Sequence, residues 1–329
     1  MAKIRICVIG GCGHSGNVIN GIAENSDTQM LCAYSGADDD NLEAMRDRIA
    51  RAGLDAPYYE DHEHMLENEK PDICVVDNVF CKHAKTAIGS LSLGIATYCE
   101  KPLALDIASL EELSAAQAGS GALLWAMQGA RYDPWFYTAH RLVSQGAVGD
   151  IRLVNAQKSY ILGKRPEYYK KRERYGGTIP WVAIHGIDTI LFMTGKPVLT
   201  VYAVQSTLHN RDHGNMEMCG QIIMNLEGQI SAGINFDFLR PQAAPTHGDD
   251  RVRIAGTEGV LEVMGGKVYL INKDGVSEAP LFKGPNAWDA FISAFQGKPG
   301  LITVKSSLEA TRTALLARES ADRGEMIAV

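Results

Sequence analysis

The opening third of the chain alternates short apolar runs with helical patterns, and this alternation restricts the fold more than any other feature of the sequence. The apolar runs predict β-strands: KIRICVIG, MLCAY, DICVVD, ATYCE and ALLWAMQ. The segments between them predict helices, for example NLEAMRDRIARAG and HAKTAIGSLSLG. Strands that alternate with helices form βαβ units around a buried parallel sheet. We therefore expect an α/β domain at the start of the chain.

A glycine-rich turn follows the first of these strands and opens the first helix. In CVIGGCGHSGN the glycines form the pattern G-x-G-x-x-G. Glycines in this context permit a tight turn and a close approach of the backbone to a pyrophosphate, at a helix N-terminus that supplies N–H donors. The loop predicts a dinucleotide site with contacts from Gly11, Cys12, Gly13, His14, Ser15 and Gly16.

The end of the second strand bears on which dinucleotide is bound. An acid that reads the ribose hydroxyls is usual there, but this strand ends CAYSGADDD, with Ser35 near the usual position and Asp38 just beyond it. The local sequence places no arginine or lysine beside the strand end, and three consecutive aspartates would repel a 2′-phosphate. The predicted cofactor is therefore NAD or NADP, with NAD favoured.

After about residue 125 the rhythm changes to longer strand patterns joined by tight turns such as LEGQ and GTEG. Such turns predict antiparallel strands. The expected fold is therefore α/β: a Rossmann dinucleotide-binding domain over residues 1–124, then an α+β domain over 125–329 built on a largely antiparallel open sheet. The second domain is expected to bind substrate and to form oligomers, and its C-terminal helix can pack back on the first domain.

Charge and composition exclude several functions. The net charge is −7, which disfavours a general grip on nucleic acid or on an anionic membrane. Four cysteines in strand-like runs predict small buried side chains in a reducing compartment: Cys7, Cys32, Cys74 and Cys99. No apolar run is long enough to cross a bilayer, and no histidine-rich segment closes a recognised metal-ligand set. We expect a cytoplasmic protein with a small-molecule substrate and no metal.

The stretch GGTIPWVAIHGID predicts a helix with Thr178 as its N-cap. Trp181, His185 and Asp188 follow at i, i+4 and i+7, which places them on one helix face. Imidazole titrates near neutral pH, so His185 suits a group that takes and returns a proton. A histidine that serves only the core is the alternative.

A basic loop with several tyrosines, LGKRPEYYKKRERYGG, precedes this helix. Its cations predict a holder for an acidic substrate group or a closing lid. A solvated loop without a specific role is the alternative.

Five stretches in this order resemble the glucose–fructose oxidoreductase / inositol dehydrogenase / MocA family: the glycine loop, YCEKPLALD, GARYDP, GGTIPWVAIHGID and GDDRVRIAGTEGVLEV. The resemblance covers nearly the whole chain. It implies hydride transfer between NAD(P) and a hydroxyl carbon of a sugar, cyclic polyol or related compound. It also implies that the open sheet of the second domain forms a homodimer or homotetramer.

By this resemblance, Lys101 contacts the nicotinamide ribose and the substrate hydroxyl, Glu100 helps to hold that lysine or the ribose, and His185 is the acid/base. A fixed ammonium stabilises the alkoxide that develops as hydride leaves a carbinol carbon. The resemblance also implies cofactor contacts at Asn78, Val79 and His83, and substrate contacts at Arg131, Tyr132, Trp181 and Asp188.

Two departures from the family pattern keep other functions open. Trp181 stands where the family most often has an aspartate, so that position offers His185 no charge. The segment NVF stands where a TPN-like segment is expected before His83. A redox-neutral, NAD-dependent sugar lyase or glycosidase and a non-catalytic dinucleotide-binding sensor are therefore the alternatives to a dehydrogenase.

Overall fold

The computed structural model describes residues 2–329, which divide into two compact units. The first unit comprises the chain up to Met127 together with Ala287–Leu308. The second comprises Gln128–Asn286 together with Glu309–Val329. Each unit is thus built from two separate stretches of sequence.

The first unit contains a six-stranded parallel sheet with the order β3-β2-β1-β4-β5-β6. Its strands are β1 (Ile4–Ile9), β2 (Gln29–Ser35), β3 (Tyr58–Tyr59), β4 (Ile73–Val76), β5 (Ala96–Cys99) and β6 (Leu124–Ala126). Its connecting helices are α1 (Ser15–Glu24), α2 (Leu42–Arg51), α3 (His62–Glu69), α4 (His83–Ser92) and α5 (Ile107–Ser120). The predicted Rossmann fold is confirmed. The strand order reverses between β1 and β4, and ligands bind beyond the carboxyl ends of the strands at such a point.

The second unit contains a nine-stranded sheet with the order β14-β13-β12-β11-β7-β10-β9-β8-β15. Its strands are β7 (Ile151–Ile161), β8 (Val198–Ser206), β9 (Cys219–Leu226), β10 (Ile230–Arg240), β11 (Gly248–Gly256), β12 (Gly259–Met264), β13 (Lys267–Asn272), β14 (Gly275–Glu278) and β15 (Ile327–Ala328). Its helices include α6 (Pro134–Ser144), α7 (Arg172–Tyr175) and α8 (Ile184–Thr194). β10 runs parallel to β7, and the other pairs in this sheet are antiparallel. The largely antiparallel sheet is therefore confirmed.

One face of this second sheet is covered by helix α8, and the other face is open. Val154 and Ala156 of β7 are buried, and α8 packs against that strand. A Cβ on Gly186 of α8 would lie 2.9 Å from Ile234 Cγ2 of β10, so the glycine permits a close approach of helix to sheet. Side chains alternate along a strand, and on the opposite face Ile223 is 59% exposed.

A helix late in the chain completes the core of the first unit, and the sequence patterns did not predict it. This helix, α9 (Ala287–Phe295), places Phe291 4.7 Å from the ring of Tyr98 in a stacked arrangement. Trp288 donates a hydrogen bond from its indole N–H to Gln29, and a Cβ on Gly21 of α1 would lie 2.3 Å from the same indole. The last helix is α10 (Val304–Arg323). A helix in this C-terminal segment was predicted from the sequence.

Thr178 occupies the predicted N-cap position, immediately before the turn Ile179–Ala183, but it does not cap the helix with its side chain. The backbone of Thr178 is itself helical (φ −72°, ψ −29°), and no capping bond from its side chain is formed. Its hydroxyl donates to the carbonyl of Glu217 at 2.7 Å, and its N–H donates to the carboxylate of Glu217 at 2.8 Å. The acceptor at the helix start is therefore a buried acid far away in sequence. A pattern of neighbouring residues could not indicate it.

Candidate dinucleotide site and catalytic residues

The glycine loop of the first unit is tightly packed against the turns that follow β4 and β5. Gly10 has φ +80°, and a Cβ there would lie 2.3 Å from the Cα of Asn78. A Cβ on Gly13 would lie 2.2 Å from a carboxylate oxygen of Glu100. Both positions therefore need glycine, the first also because L side chains rarely adopt this φ.

The backbone N–H groups from Gly10 to Ser15 each donate to an acceptor of the first unit. The N–H groups of Gly11 and Cys12 donate to the carbonyls of Asp40 and Asp77, each at 2.8 Å. Those of Gly13 and Ser15 donate to the two carboxylate oxygens of Asp77, at 2.7 and 3.0 Å. That of His14 donates to Glu100 Oε2 at 2.8 Å. Two acids thus lie at the N-terminus of α1, where a helix favours negative charge. The sequence patterns did not indicate Asp77.

Asp77 and Glu100 differ in the pKa of their carboxyl groups. Burial and then the nearby Glu100 raise the pKa of Asp77 to about 7, although Ser15 hydrogen bonds to it. Burial also acts to raise the pKa of Glu100, but the charge and hydrogen bond of His14 and the charge of Lys101 outweigh it and hold that pKa at about 2. His14 Nδ1 lies 2.6 Å from Glu100 Oε2, and this contact raises the pKa of His14. Glu100 is therefore the permanent anion of the pair.

The loop fits a dinucleotide in three respects. The glycine turn between a strand and a helix is formed, and consecutive N–H groups converge at the helix N-terminus, where a pyrophosphate binds in this fold. Arg48 donates to the carbonyl of Gly11 at 3.0 Å and so brings a positive charge to the loop. Asn78 Oδ1 is buried without a hydrogen-bond partner among residues 2–329, which suits an acceptor for a ligand hydroxyl or amide.

The end of β2 carries a cation that the sequence interpretation excluded. Asp38 is exposed at the start of a short 3₁₀ turn, and the carbonyl of Ser35 accepts the N–H of Gly10 at 2.9 Å. Lys82 lies 3.0 Å from carboxylate oxygens of both Asp39 and Asp40. The prediction that no lysine lies beside this strand end is therefore wrong, because Lys82 belongs to a turn that is distant in the sequence.

Lys101 is buried beside the loop, in the turn after β5. Its residue is 1% exposed, its N–H donates to Glu100 Oε1 at 2.9 Å, and its peptide bond to Pro102 is cis. His83 is fully buried, with Nδ1 2.8 Å from the carbonyl of Pro102 and Nε2 2.9 Å from the carbonyl of Asn78. His83 therefore connects the turns after β4 and β5. Burial lowers its pKa.

In the second unit, Arg131 and Asp188 form a buried ion pair. Arg131 Nη2 lies 2.5 Å from Asp188 Oδ1, and Nε lies 3.0 Å from Oδ2. The exposed fractions of the two side chains are 6% and 1%. The guanidinium also lies over the ring of Phe192, 5.0 Å from its centroid. This pair joins the turn Gly129–Tyr132 to helix α8.

Trp181 and His185 lie on either side of a change in helical geometry. Ile179–Ala183 form a π-helical turn that runs into α8. This wider turn replaces the regular α-helical spacing from which one shared face was predicted; π-turns occur frequently at functional sites. Trp181 is 8% exposed and meets the ring of Tyr169 edge-on, whereas His185 is only partly buried.

The basic loop before this helix packs its tyrosines inward and leaves Lys164 and Lys171 exposed. Tyr169 stacks on Tyr168, with centroids 4.9 Å apart, and its ring lies 4.4 Å from that of Tyr175. Arg172 pairs with Glu217 at 3.1 Å and with Asp322 at 2.9 Å. This arginine is therefore paired with the acid that binds Thr178 at the start of the helix carrying His185.

Two further polar features of the second unit had no signal in the sequence. Gln128 is 1% exposed, and neither atom of its amide has a hydrogen-bond partner in the described part of the chain. Lys158 of β7 is buried and lies 2.6 Å from Asp250 of β11. Burial raises the pKa of the nearby Asp133 to about 6, against the opposing charge of Lys158. Tyr132, which directly precedes Asp133 in the sequence, is 7% exposed. Polar groups so buried suit ligand contacts.

Two kinds of feature are absent from the described residues. Within residues 2–329 no three histidine, cysteine, aspartate or glutamate side chains are placed to hold a metal ion. None of the helices over the same residues has the length and hydropathy needed to cross a membrane. Cys7, Cys32, Cys74 and Cys99 are buried, as predicted.

Comparison with known proteins agrees with this architecture. Residues 4–128 match the oxidoreductase family model with an NAD-binding Rossmann fold, and residues 136–262 match the GFO/IDH/MocA C-terminal domain. The chain is 24% identical over 264 residues to the myo-inositol dehydrogenase Hyg17 of Streptomyces leeuwenhoekii, covering 74% of this chain and 77% of that protein. It is 23% identical over 265 residues to D-apiose dehydrogenase of Paraburkholderia graminis, covering 80% and 68%.

A solved structure is more similar still. A putative oxidoreductase from Thermotoga maritima is 40% identical and superposes with a TM-score of 0.95, covering 99% of this chain and 100% of that one. The family resemblance inferred from the five sequence stretches is therefore confirmed. The chain belongs to the GFO/IDH/MocA family of oxidoreductases, and its first unit is the family's NAD-binding Rossmann fold.

Proposed function

We propose that this oxidoreductase removes hydride from a secondary hydroxyl carbon of a sugar or cyclic polyol, with NAD as the acceptor. The observation that carries the proposal is the placement of Lys101 in the first unit. A buried lysine stands directly beside the glycine loop, in a turn fixed by Glu100 and His83. Relatives named as inositol and apiose dehydrogenases support the substrate class.

In this mechanism NAD supplies the hydride acceptor. The Lys101 ammonium binds the substrate hydroxyl and stabilises the alkoxide that develops as the C–H bond breaks. Glu100 keeps the backbone of Lys101 in place through the hydrogen bond to its N–H. His83 positions the same turn through the carbonyl of Pro102. In the reverse direction, Lys101 polarises the carbonyl that accepts hydride.

The second unit contains further candidates for roles in the reaction. We assign His185 as the acid/base, because imidazole is the side chain that most often serves in general acid–base catalysis and this one is only partly buried. Trp181, supported edge-on by Tyr169, is proposed as an aromatic surface for the apolar face of a sugar ring. Arg131 and Asp188 neutralise each other, so we propose that they position α8 rather than bind substrate. Tyr132 and Gln128 are proposed substrate contacts.

The charges at the end of β2 favour NAD over NADP. Three consecutive acids, Asp38, Asp39 and Asp40, lie there, and Lys82 is already paired with two of them, so we propose that this end disfavours a 2′-phosphate. We propose that Asp38 and Ser35 contact the adenosine ribose, and that Asn78 and Val79 line the nicotinamide side. Cytoplasmic location stays a prediction from the sequence.

The open face of the second sheet supports a homo-oligomer. Leu153, Ile223 and Leu239 are 39%, 59% and 57% exposed on neighbouring strands of that face. Exposed apolar side chains on an open sheet face suit an interface with another subunit. Replacing Ile223 by aspartate is expected to dissociate the homodimer or homotetramer, and light scattering after size exclusion measures this. The same mass for I223D and wild type, or a monomeric wild type, would contradict the interface.

The proposed reaction is tested by following NADH absorbance with a panel of cyclic polyols, aldoses and their acids, including myo-inositol and D-apiose. We expect stoichiometric reduction of NAD by at least one cyclic polyol or sugar. Product formation without any change in nicotinamide absorbance would establish the redox-neutral lyase or glycosidase instead. Tight NAD binding with no reduction by any candidate would establish the sensor.

A further inference from the structure

The backbone N–H groups of the glycine loop are already hydrogen-bonded within the first unit. From Gly10 to Ser15 every backbone N–H already donates to an acceptor within the first unit. Those of Gly13 and Ser15 are held by the carboxylate of Asp77, and that of His14 by Glu100. A dinucleotide pyrophosphate carries negative charge and needs donors at this helix N-terminus. The pyrophosphate therefore competes with Asp77 and Glu100 for the same backbone N–H groups.

We propose that Asp77 sets the affinity of this chain for NAD, because its carboxylate competes with the pyrophosphate for the N–H groups of Gly13 and Ser15. When NAD binds, Asp77 releases these donors and takes up a proton. The inference concerns cofactor binding, so it rests on the family's NAD site and not on the identity of the substrate.

Of the two acids, Asp77 is the one that can lose its negative charge and release the backbone N–H groups it holds. The charged groups that act on it are Glu100 from the end of β5 and His14 from the loop, and the charge of Lys101 acts in turn on both of these. Glu100 is tied to His14 and to the N–H of Lys101 and stays ionised. Asp77 is fully buried next to this anion, so its own charge is costly. An approaching pyrophosphate adds negative charge and raises that cost further.

The direction of the pH dependence follows from proton linkage. The free carboxyl of Asp77 titrates at about 7, and bound pyrophosphate moves its pKa upward. Below that pH, Asp77 is already protonated and NAD binding takes up no proton from it. Above it, binding takes up one proton, so the Kd for NAD rises about tenfold per pH unit. Affinity is therefore flat in acid and weakens in base.

The test measures NAD binding to the full chain by isothermal titration calorimetry between pH 6 and 8.5. Titrations in two buffers with different ionisation enthalpies give the number of protons taken up. At pH 8.5 the wild type is expected to take up about one proton per NAD. D77N and D77S are expected to take up none and to bind NAD about tenfold or more tightly than wild type at this pH. Thermal melts of each variant verify that it is folded.

Matched variants separate Asp77 from its neighbours. D106N removes a carboxylate that caps α5 in the same unit and lies apart from the glycine loop, so its proton uptake should equal that of wild type. E100Q removes the charge that helps to raise the pKa of Asp77, so the pH at which NAD affinity begins to weaken should move downward, which a fixed pH dependence would contradict. Uptake that persists in D77N and disappears in H14Q would assign the proton to His14 and overturn the proposal.

Other outcomes are equally decisive. A pH-independent Kd in wild type, or weaker NAD binding by folded D77S, would show that Asp77 only supports the loop, and the proposal would fail. Dehydrogenase activity has no part in these readouts, so failure of the polyol assays leaves them interpretable. An absence of NAD binding by every variant at pH 6 would overturn both the competition and the cofactor.

Discussion

Replacing Lys101 by methionine is expected to lower kcat for the polyol that reduces NAD fastest by about a hundredfold or more. Methionine retains most of the buried stem but removes the ammonium that stabilises the developing alkoxide. Because the effect falls on the transition state, kcat and kcat/KM should fall together. Steady-state NADH formation gives both constants, and calorimetry gives the Kd for NAD, which should change far less than kcat.

The control for this experiment is Lys85 of α4, an exposed lysine of the same unit. K85M removes the same charge from the unit as a whole, and its kcat should equal that of wild type. If K101M and K85M retain the same turnover, Lys101 has no electrophilic role. If K101M loses NAD binding in proportion to turnover, the lysine serves the cofactor alone.

Breaking the buried pair of Arg131 and Asp188 is expected to destabilise the second unit by about 3–5 kcal/mol. Replacing Asp188 by leucine leaves a guanidinium in a site where only 6% of its side chain is exposed. Burial opposes that charge, and Asp188 is the group that offsets it and raises the pKa of Arg131. Urea denaturation followed by a probe in the second unit measures the loss.

Two matched variants make this result specific. R152M breaks an exposed pair in the same unit, where the side chains are 55% and 79% exposed, and should cost less than about 1 kcal/mol. The double variant R131M/D188L removes both charges and should recover much of the stability lost in D188L. A cost for D188L no larger than that for R152M would show that the pair contributes little.

The sequence predicted those parts of the fold that depend on neighbouring residues. The alternation of strands and helices, the glycine turn and the antiparallel hairpins each follow from local periodicity or backbone freedom, and the structure has all of them. The helix of Trp288 was missed because its partners Tyr98 and Gln29 are distant in the chain. The same reason explains Lys82 beside the aspartates after β2 and Glu217 at Thr178.

The candidate site was predicted in outline only. Motif spacing indicated Gly13, Lys101 and His185, because these residues belong to short stretches that resemble a family. Asp77 had no such signal: its importance depends on a fold that brings the end of β4 against the N-terminus of α1. Gln128 became notable only once its amide was found buried without a partner in the described chain. The identity of a residue alone indicates neither a contact that the fold creates nor a buried amide without a hydrogen-bond partner.

The division of the first unit between two stretches of sequence has a consequence for its synthesis. A Rossmann unit at the start of a chain would ordinarily fold while the remainder is still being translated. Here the indole of Trp288, which fills the space left by Gly21 and lies beside Tyr98, emerges only after Gln128–Asn286. Until then the nascent N-terminal segment exposes apolar surface on α1 and β5. Its final packing therefore waits until Gln128–Asn286 have been synthesised.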